Sequence, residues 1–480
     1  MLFNSLDFAV FLPLVFLIYW FVFPKQLKQQ NILLLIASYV FYGWWDWRFL
    51  SLILFSTVLD FAVGKSMGKT EDPTNRKLLL TISVIVNLGF LGFFKYYNFF
   101  ADSFVQAFSF FGYSIHPRAL SIVLPVGISF YTFQTLSYSI DVYKRKLEPA
   151  KDFISFATFV SFFPQLVAGP IERATHLLPQ FYKRRRFDFT LAVDGSKQML
   201  WGFFKKVVIA DNCAEYVNVI FQNYENYSAS TLVLGAVLFA FQIYGDFSGY
   251  SDIAIGLSRL FGFDLMKNFA FPYFSRDIAE FWRRWHISLS TWFRDYLYIP
   301  LGGSKGGVWM KVRNTFIIFL VSGFWHGANW TFIVWGALNA FYFLPLMLAG
   351  KNRSNLNQVA EGRIFPTLME AGKVLVTFSL TCLAWIFFRA DSVAMATDYI
   401  SSIFSLSILT KPDVFPVGVI ALVLLFVMIE WLGKEGDFAI QKVGIRWRRP
   451  FRYGVYYGVF ALTYFAGNFS DEIEFIYFQF

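Results

Sequence analysis

Long apolar runs separated by short polar and basic stretches set the pattern along almost the whole chain. Leu6–Phe23 is the first, followed by Ile32–Trp45, Phe49–Gly64, Leu78–Phe94, Leu120–Val142, Phe153–Ala168, Val207–Phe221 and Leu232–Tyr244. The second half adds Ile253–Phe263, Phe316–Trp325, Trp330–Leu348, Val374–Phe388, Val414–Trp431 and Tyr453–Phe465. A spanning helix needs about 20 apolar residues to cross a hydrocarbon core of roughly 30 Å. Backbone polar groups inside lipid must all be met within the protein, which favours helices. The pattern predicts an all-α integral membrane protein, a multi-pass bundle of about eleven spanning helices with re-entrant or interfacial helices around a tunnel. No small-residue cleavage site follows Leu6–Phe23, so it is expected to be a first spanning helix rather than a signal peptide. The most polar stretch, Asn352–Arg363, is loop-sized. With no longer linker and no repeat, residues 1–480 are expected to form a single membrane domain.

Composition removes the alternatives. Hydrophobic residues make up 56% of the 480-residue chain and charged residues 15%, where soluble domains carry roughly 25% charged. Disorder, collagen, coiled coil and a secreted disulfide scaffold are excluded. Cys213 and Cys382 lie far apart with no CxxC spacing, so neither a disulfide framework nor a metal site is expected. The net charge of +10 gathers in short loops between apolar runs. These are Lys144–Lys146 with Lys151, Lys183–Arg186, and Lys434 through Arg452, which contains Arg446. Such loops are expected in the cytoplasm, facing anionic membrane lipid, and no nucleic acid is expected as a partner.

Ionisable residues inside apolar runs are costly, so each is a functional candidate. Three segments carry them. Ser275–Pro300 places Ile278, Phe281, Trp285, Leu289, Trp292 and Tyr296 at helical spacing, with Arg283, His286, Ser290 and Arg294 on another face. One amphipathic helix is expected, lying in the interface with its arginines on lipid phosphate, or lining a polar cavity. Phe316–Leu348 holds one histidine, His326, and no Asp, Glu, Lys or Arg, with Ser322 and Asn329 on the face of His326 and Gly323 and Gly327 beside it. It is either a buried neutral imidazole or a catalytic group. Leu238–Phe263 carries Asp246 and Asp252 around Ser248, Gly249, Tyr250 and Ser251, which suggests a broken helix whose carboxylates cap helix ends or pair with arginines. His116 and His176 are expected to be ordinary surface residues. No HExxH, GxSxG or Walker A element is present.

FWRRWHISLSTWFRDYLYIPLGGS (281–304) followed by LVSGFWHGANWTFIVWG (320–336) resembles the membrane-bound O-acyltransferase (MBOAT) family, in its bacterial alginate O-acetyltransferase branch. LPVGISFYTFQTLSYSIDVY (124–143), FFPQLVAGPIER (162–173), YGDFSGYSDIAIGLSRLFGF (244–263), WIFFRADS (385–392) and FIYFQF (475–480) resemble it in the same order. The resemblance implies a multi-pass enzyme moving an acyl group, most often acetyl, to a hydroxyl, with no tightly bound cofactor. It also implies a tunnel in which a cytoplasmic thioester such as acetyl-CoA meets its acceptor. His326 matches the family's invariant histidine and His286 a second one.

Imidazole is a suitable base near pH 7, and Asn329 and Ser322 are candidates to orient it or stabilise an oxyanion. Arg283, Arg284 and Arg294 are candidates, by charge, for coenzyme A phosphates. The function expected is acetylation of an extracytoplasmic, alginate-like polysaccharide at the bacterial inner membrane, through a periplasmic SGNH-type acetyltransferase partner. A D-alanyl or peptidoglycan O-acyl transferase of the same family is the alternative. A proton-coupled transporter or flippase using Asp246, Asp252 and His326 is a rival from another class.

Overall fold

A computed structural model describes all residues except 111–119, 121, 445–446, 470–474 and 477–480. His116, Arg446 and the last four residues of the FIYFQF block therefore lie outside the described residues. Every regular element among the described residues is helical. The chain divides into two compact units, residues 1–192 with 257–266, and residues 193–256 with 267–480.

The first unit contains α1 (Leu6–Leu17), α2 (Leu27–Asp46), α3 (Leu50–Lys69), α4 (Pro73–Leu91), α5 (Tyr97–Phe110), α6 (Ile128–Tyr143), α7 (Phe153–Ser161) and α8 (Ala174–Leu177). Helix starts follow local chemistry. The Ser5 hydroxyl accepts from Phe8 N at 3.2 Å, and Asp72 caps α4, whose first residue is Pro73. One carboxylate ties three helices together: Asp60 on α3, fully buried, accepts from Ser83 and Asn87 on α4 and from Ser139 on α6. An unmet buried carboxylate would be very costly, so these donors also fix the helices' register.

The rest of the chain forms α9 (Phe189–Phe203), which passes through a wide turn at Phe204–Ala210 into α10 (Asp211–Gln222), then α11 (Ala229–Leu260). Two short helices follow, α12 (Ile278–Arg284) and α13 (Ile287–Phe293). The remainder are α14 (Val308–His326), α15 (Trp330–Leu348), α16 (Leu368–Arg389), α17 (Val393–Ile403), α18 (Val417–Gly433) and α19 (Arg449–Ala466).

Among the described residues, five helical stretches are long and apolar enough to cross a membrane: Leu27–Lys69, Pro73–Ser109, Ala229–Leu260, Trp330–Leu348 and Leu368–Arg389. Leu6–Val22 and Val417–Gly433 are shorter apolar helices. Other apolar runs take a different form. Phe153–Ala168, for instance, is the nine-residue α7 followed by irregular chain, buried rather than exposed. Outward apolar residues such as Leu6 (87% exposed) and Leu368 (94% exposed) present the surface expected where lipid replaces water. The chain is a multi-pass membrane protein.

Three sequence expectations are corrected here. Leu238–Phe263 does not break: α11 runs unbroken through Gly245 and Gly249. Gly249 is needed for packing, since a Cβ there would lie 2.8 Å from the carbonyl oxygen of Gly202 on α9. Asp246 and Asp252 pair with lysines, not arginines. Lys206 lies 2.8 Å from both Asp211 and Asp246, and Lys205 lies 2.5 Å from Asp252. Ser275–Pro300 is not one helix either, because the chain breaks at Trp285–His286.

Candidate active site

The break at Trp285–His286 positions the first candidate residue. His286 has left-handed backbone angles, φ 44° and ψ 54°, uncommon for a side chain with a Cβ. The backbone groups released there are taken up by residues 268–270: Ile287 N donates to Asn268 O at 2.9 Å, and Ala270 N donates to Arg284 O at 3.0 Å. Asn268 also sets the ring. Its Oδ1 lies 3.0 Å from His286 Nδ1 and accepts from the Ser288 hydroxyl at 2.9 Å, while its Nδ2 donates to Ser251 at 3.0 Å. Nδ1 then carries the proton and Nε2 keeps its lone pair, with no hydrogen-bond partner among the described residues. The α12 and α13 helices, seven residues each, are too short to span. Burial pushes the His286 imidazole down to about 3, so the ring is neutral at pH 7.

The second candidate, His326, ends α14 and is buried. Its ring meets Trp325, Trp335 and Phe388 edge-on, at centroid distances of 5.0, 5.2 and 5.3 Å. The α14–α15 hairpin holds it there by close backbone contact. A Cβ on Gly323 would strike the carbonyl of Phe332, and one on Gly336 that of Phe319. Further from the ring, Trp385 stacks on Trp335 at 5.6 Å and backs the same wall.

The two imidazoles come together. Their ring centroids are 6.4 Å apart, and both line one cavity of about 510 Å³. Ser290 and Ser322 also face this cavity, Lys311 and Arg353 contribute positive charge, and Arg294 lines it while paired with Asp295 at 2.7 Å. Asn329 does not line it. Its Oδ1 caps α15 by accepting from Thr331 N at 3.0 Å, and its Nδ2 donates to Asp391 O. Arg283 and Arg284 are also absent from the lining. Arg283 donates to the carbonyls of Asn352 and Asn355 at 2.7 and 2.8 Å, and Arg284 pairs with Glu280 at 2.9 Å. Asp246 and Asp252 lie outside the lining as well.

Sequence reasoning missed Lys311 and Arg353, which lie just inside and just beyond the two ends of the α14–α15 hairpin. An antiparallel pair brings its two outer ends together, so basic residues there converge on one mouth. It also missed Asn268, which stands outside every apolar run. His176 is not an ordinary surface residue. Nδ1 lies 2.8 Å from Glu172 and Nε2 lies 3.3 Å from Asp264, within the first unit.

A family model described as MBOAT, the membrane-bound O-acyltransferase family, matches residues 151–389. The probable alginate O-acetylase AlgI of Pseudomonas aeruginosa is 40% identical over 441 residues, covering 90% of this chain and 81% of that protein. The chain belongs to the membrane-bound O-acyltransferase family. A peptidoglycan O-acetyltransferase of Helicobacter pylori is 35% identical, covering 82% of this chain and 78% of that protein. A teichoic acid D-alanyltransferase of Bacillus subtilis is 26% identical, covering 57% and 70%. As a member of the family the chain is an O-acyltransferase, and the matched residues include the break at His286, the α14–α15 hairpin and His326.

Proposed function

We propose that this chain is an O-acetyltransferase of the bacterial inner membrane, moving acetyl from a cytoplasmic thioester toward hydroxyls of an alginate-like exopolysaccharide. The observation that carries this reading is the convergence of His286 and His326 on one cavity with a cationic mouth. The names borne by the relatives at 35–40% identity support acetyl as the group transferred and a polysaccharide or peptidoglycan as the acceptor. The basic loops at Lys183–Arg186 and Lys434–Arg452 support a cytoplasmic side for the donor.

In the proposed step, the acceptor hydroxyl gives its proton to the imidazole of His326 as its oxygen attacks the thioester carbonyl. The hydroxyls of Ser290 and Ser322 donate to the oxyanion that forms. The C–S bond then breaks, and the departing thiolate takes the proton back from the imidazolium. His286, neutral with a bare Nε2, accepts a hydrogen bond from the acceptor and orients it. Arg294, Lys311 and Arg353 hold the phosphates of acetyl-CoA, or the phosphopantetheine of a carrier. Arg283, Arg284 and Asn329 are assigned to holding loops and caps rather than substrate. A periplasmic SGNH-type acetyltransferase completes delivery to the polymer.

The test is acetyl-CoA hydrolysis by the purified chain in nanodiscs, read as release of free thiol. Slow release is expected from wild type, lost in His326→Gln. Wild-type release in both His326→Gln and His286→Gln overturns the mechanism. Release from a D-alanyl carrier but not from acetyl-CoA overturns the choice of donor.

A further inference from the structure

A second cleft, of about 640 Å³, lies wholly within the first unit between the end of the first helix and the segment 184–187. One wall is apolar, formed by Phe16, Trp20, Phe21 and Phe187. The other carries Lys25, Arg184, Arg185 and Arg186, and no acidic side chain lines the cleft.

Arg185 is the unusual member. It is 7% exposed, while Lys25, Arg184 and Arg186 are exposed. Nη2 donates to Asn31 Oδ1 at 2.6 Å and more weakly to Gln30 Oε1 at 3.4 Å. The guanidinium lies over the rings of Phe263, at 4.8 Å, and Tyr19, at 5.7 Å. Among the described residues Nε and Nη1 have no hydrogen-bond partner and no carboxylate pairs with Arg185, although the Tyr19 hydroxyl also interacts with the guanidinium. A buried charge beneath an open cleft, with three further exposed cations around it, is an arrangement that an anion would complete.

The shape of the charge selects the anion. Arg184 and Arg186 are exposed, and a guanidinium edge on either offers two parallel donors that suit the oxygens of a phosphate. Free phosphate would use the cationic wall alone. A phosphodiester bearing acyl chains would also cover Phe21, 74% exposed, and Phe187, 48% exposed.

We propose that this cleft binds the headgroup phosphate of an anionic phospholipid, with Arg185 at its floor and Lys25, Arg184 and Arg186 around its rim. The lipid supplies the counter-ion to a charged cleft that no acidic side chain lines among the described residues. The site is separate from the acyl-transfer cavity, so its test stands apart from that of the proposed function.

Delipidated full-length protein in detergent is titrated with phosphatidylglycerol and with phosphatidylcholine, and bound lipid is counted by native mass spectrometry. Phosphatidylglycerol is expected to bind more tightly and to raise the melting temperature. Because Nη2 of Arg185 also holds Asn31, Arg185→Gln is measured beside Arg184→Gln/Arg186→Gln, whose altered side chains are exposed. Each is expected to weaken phosphatidylglycerol binding by roughly tenfold, the loss of about one charge-assisted hydrogen bond. Equal retention of the two lipids, or unchanged phosphatidylglycerol binding in the double variant, overturns the site. Displacement of phosphatidylglycerol by inorganic phosphate or coenzyme A at equal concentration overturns the lipid as its ligand.

Discussion

Nδ1 of His286 lies 3.0 Å from Oδ1 of Asn268, and this contact decides which ring nitrogen keeps its lone pair. Asn268 holds the backbone of the break as well as the ring, since its carbonyl accepts from Ile287 N.

Replacing Asn268 should therefore change chemistry more than binding. Asn268→Ala is expected to lower kcat with little change in KM for acetyl-CoA. Asn268→Asp should retain more activity but alter the pH–rate profile, because a carboxylate beside the ring raises its pKa from about 3. An unchanged profile in Asn268→Asp would count against a positioning role.

His326→Gln should lose roughly a hundred- to ten-thousand-fold in acetyl transfer, the usual contribution of a general base. Its thermal melting in detergent should remain close to wild type. Loss of folding together with activity would assign His326 to packing against Trp325, Trp335 and Phe388 instead.

The cationic mouth should act on the donor. Lys311→Gln and Arg353→Gln are each expected to raise KM for acetyl-CoA by roughly threefold to tenfold, with kcat preserved and the penalty shrinking as salt rises. A fall in kcat at constant KM would place these residues elsewhere in the cycle.

His176 offers a pH test outside the spanning helices. Asp264 and Glu172 hold its imidazole up at about 10, above the ordinary 6.5. A group raised on folding stabilises fully below its unfolded pKa, so the contribution is complete below about pH 6.5 and lost as pH rises through about 10. The imidazole is about a third exposed, so the effect should be modest. Melting temperatures of wild type and His176→Gln should differ most near pH 6 and converge above about pH 10. A difference independent of pH would remove the ion pair as its cause.

Lys205, buried, pairs at 2.5 Å with the half-buried Asp252. Lys205→Ala leaves a half-buried carboxylate with Gln198 as its remaining donor and should cost about 1–3 kcal/mol of stability. Lys205→Met/Asp252→Leu should recover much of it, measured by thermal melting. Proton-coupled uptake into liposomes that disappears in Asp252→Asn would instead revive the transporter reading.

Much of this was legible in the sequence. Hydropathy marked a membrane protein, and polar residues out of place in apolar runs pointed to His326 and His286. What the sequence concealed has definite physical causes. Apolar residues keep helical spacing on both sides of Trp285–His286, so periodicity passes straight through a break made by backbone contacts to residues 268–270. Gly249 suggested a break in α11 but serves close approach to Gly202, a partner 47 positions away that no local pattern reveals. Arg283 and Arg284 looked like ligand-binding charges, yet carbonyls of the 352–355 loop and Glu280 occupy them. Lys311 and Arg353 gain meaning only when the α14–α15 hairpin closes.

That hairpin touches backbone to backbone at Gly323 and Gly336, so two missing methyl groups, rather than adjustable side chains, set the separation of its helices. A rigid pair responds to a thicker or thinner bilayer by tilting as one body. The spacing between His326 and the aromatic wall built on Trp335 is then insulated from acyl-chain length in the surrounding membrane. Seasonal or growth-phase remodelling of lipids would reorient the reaction chamber without reshaping it.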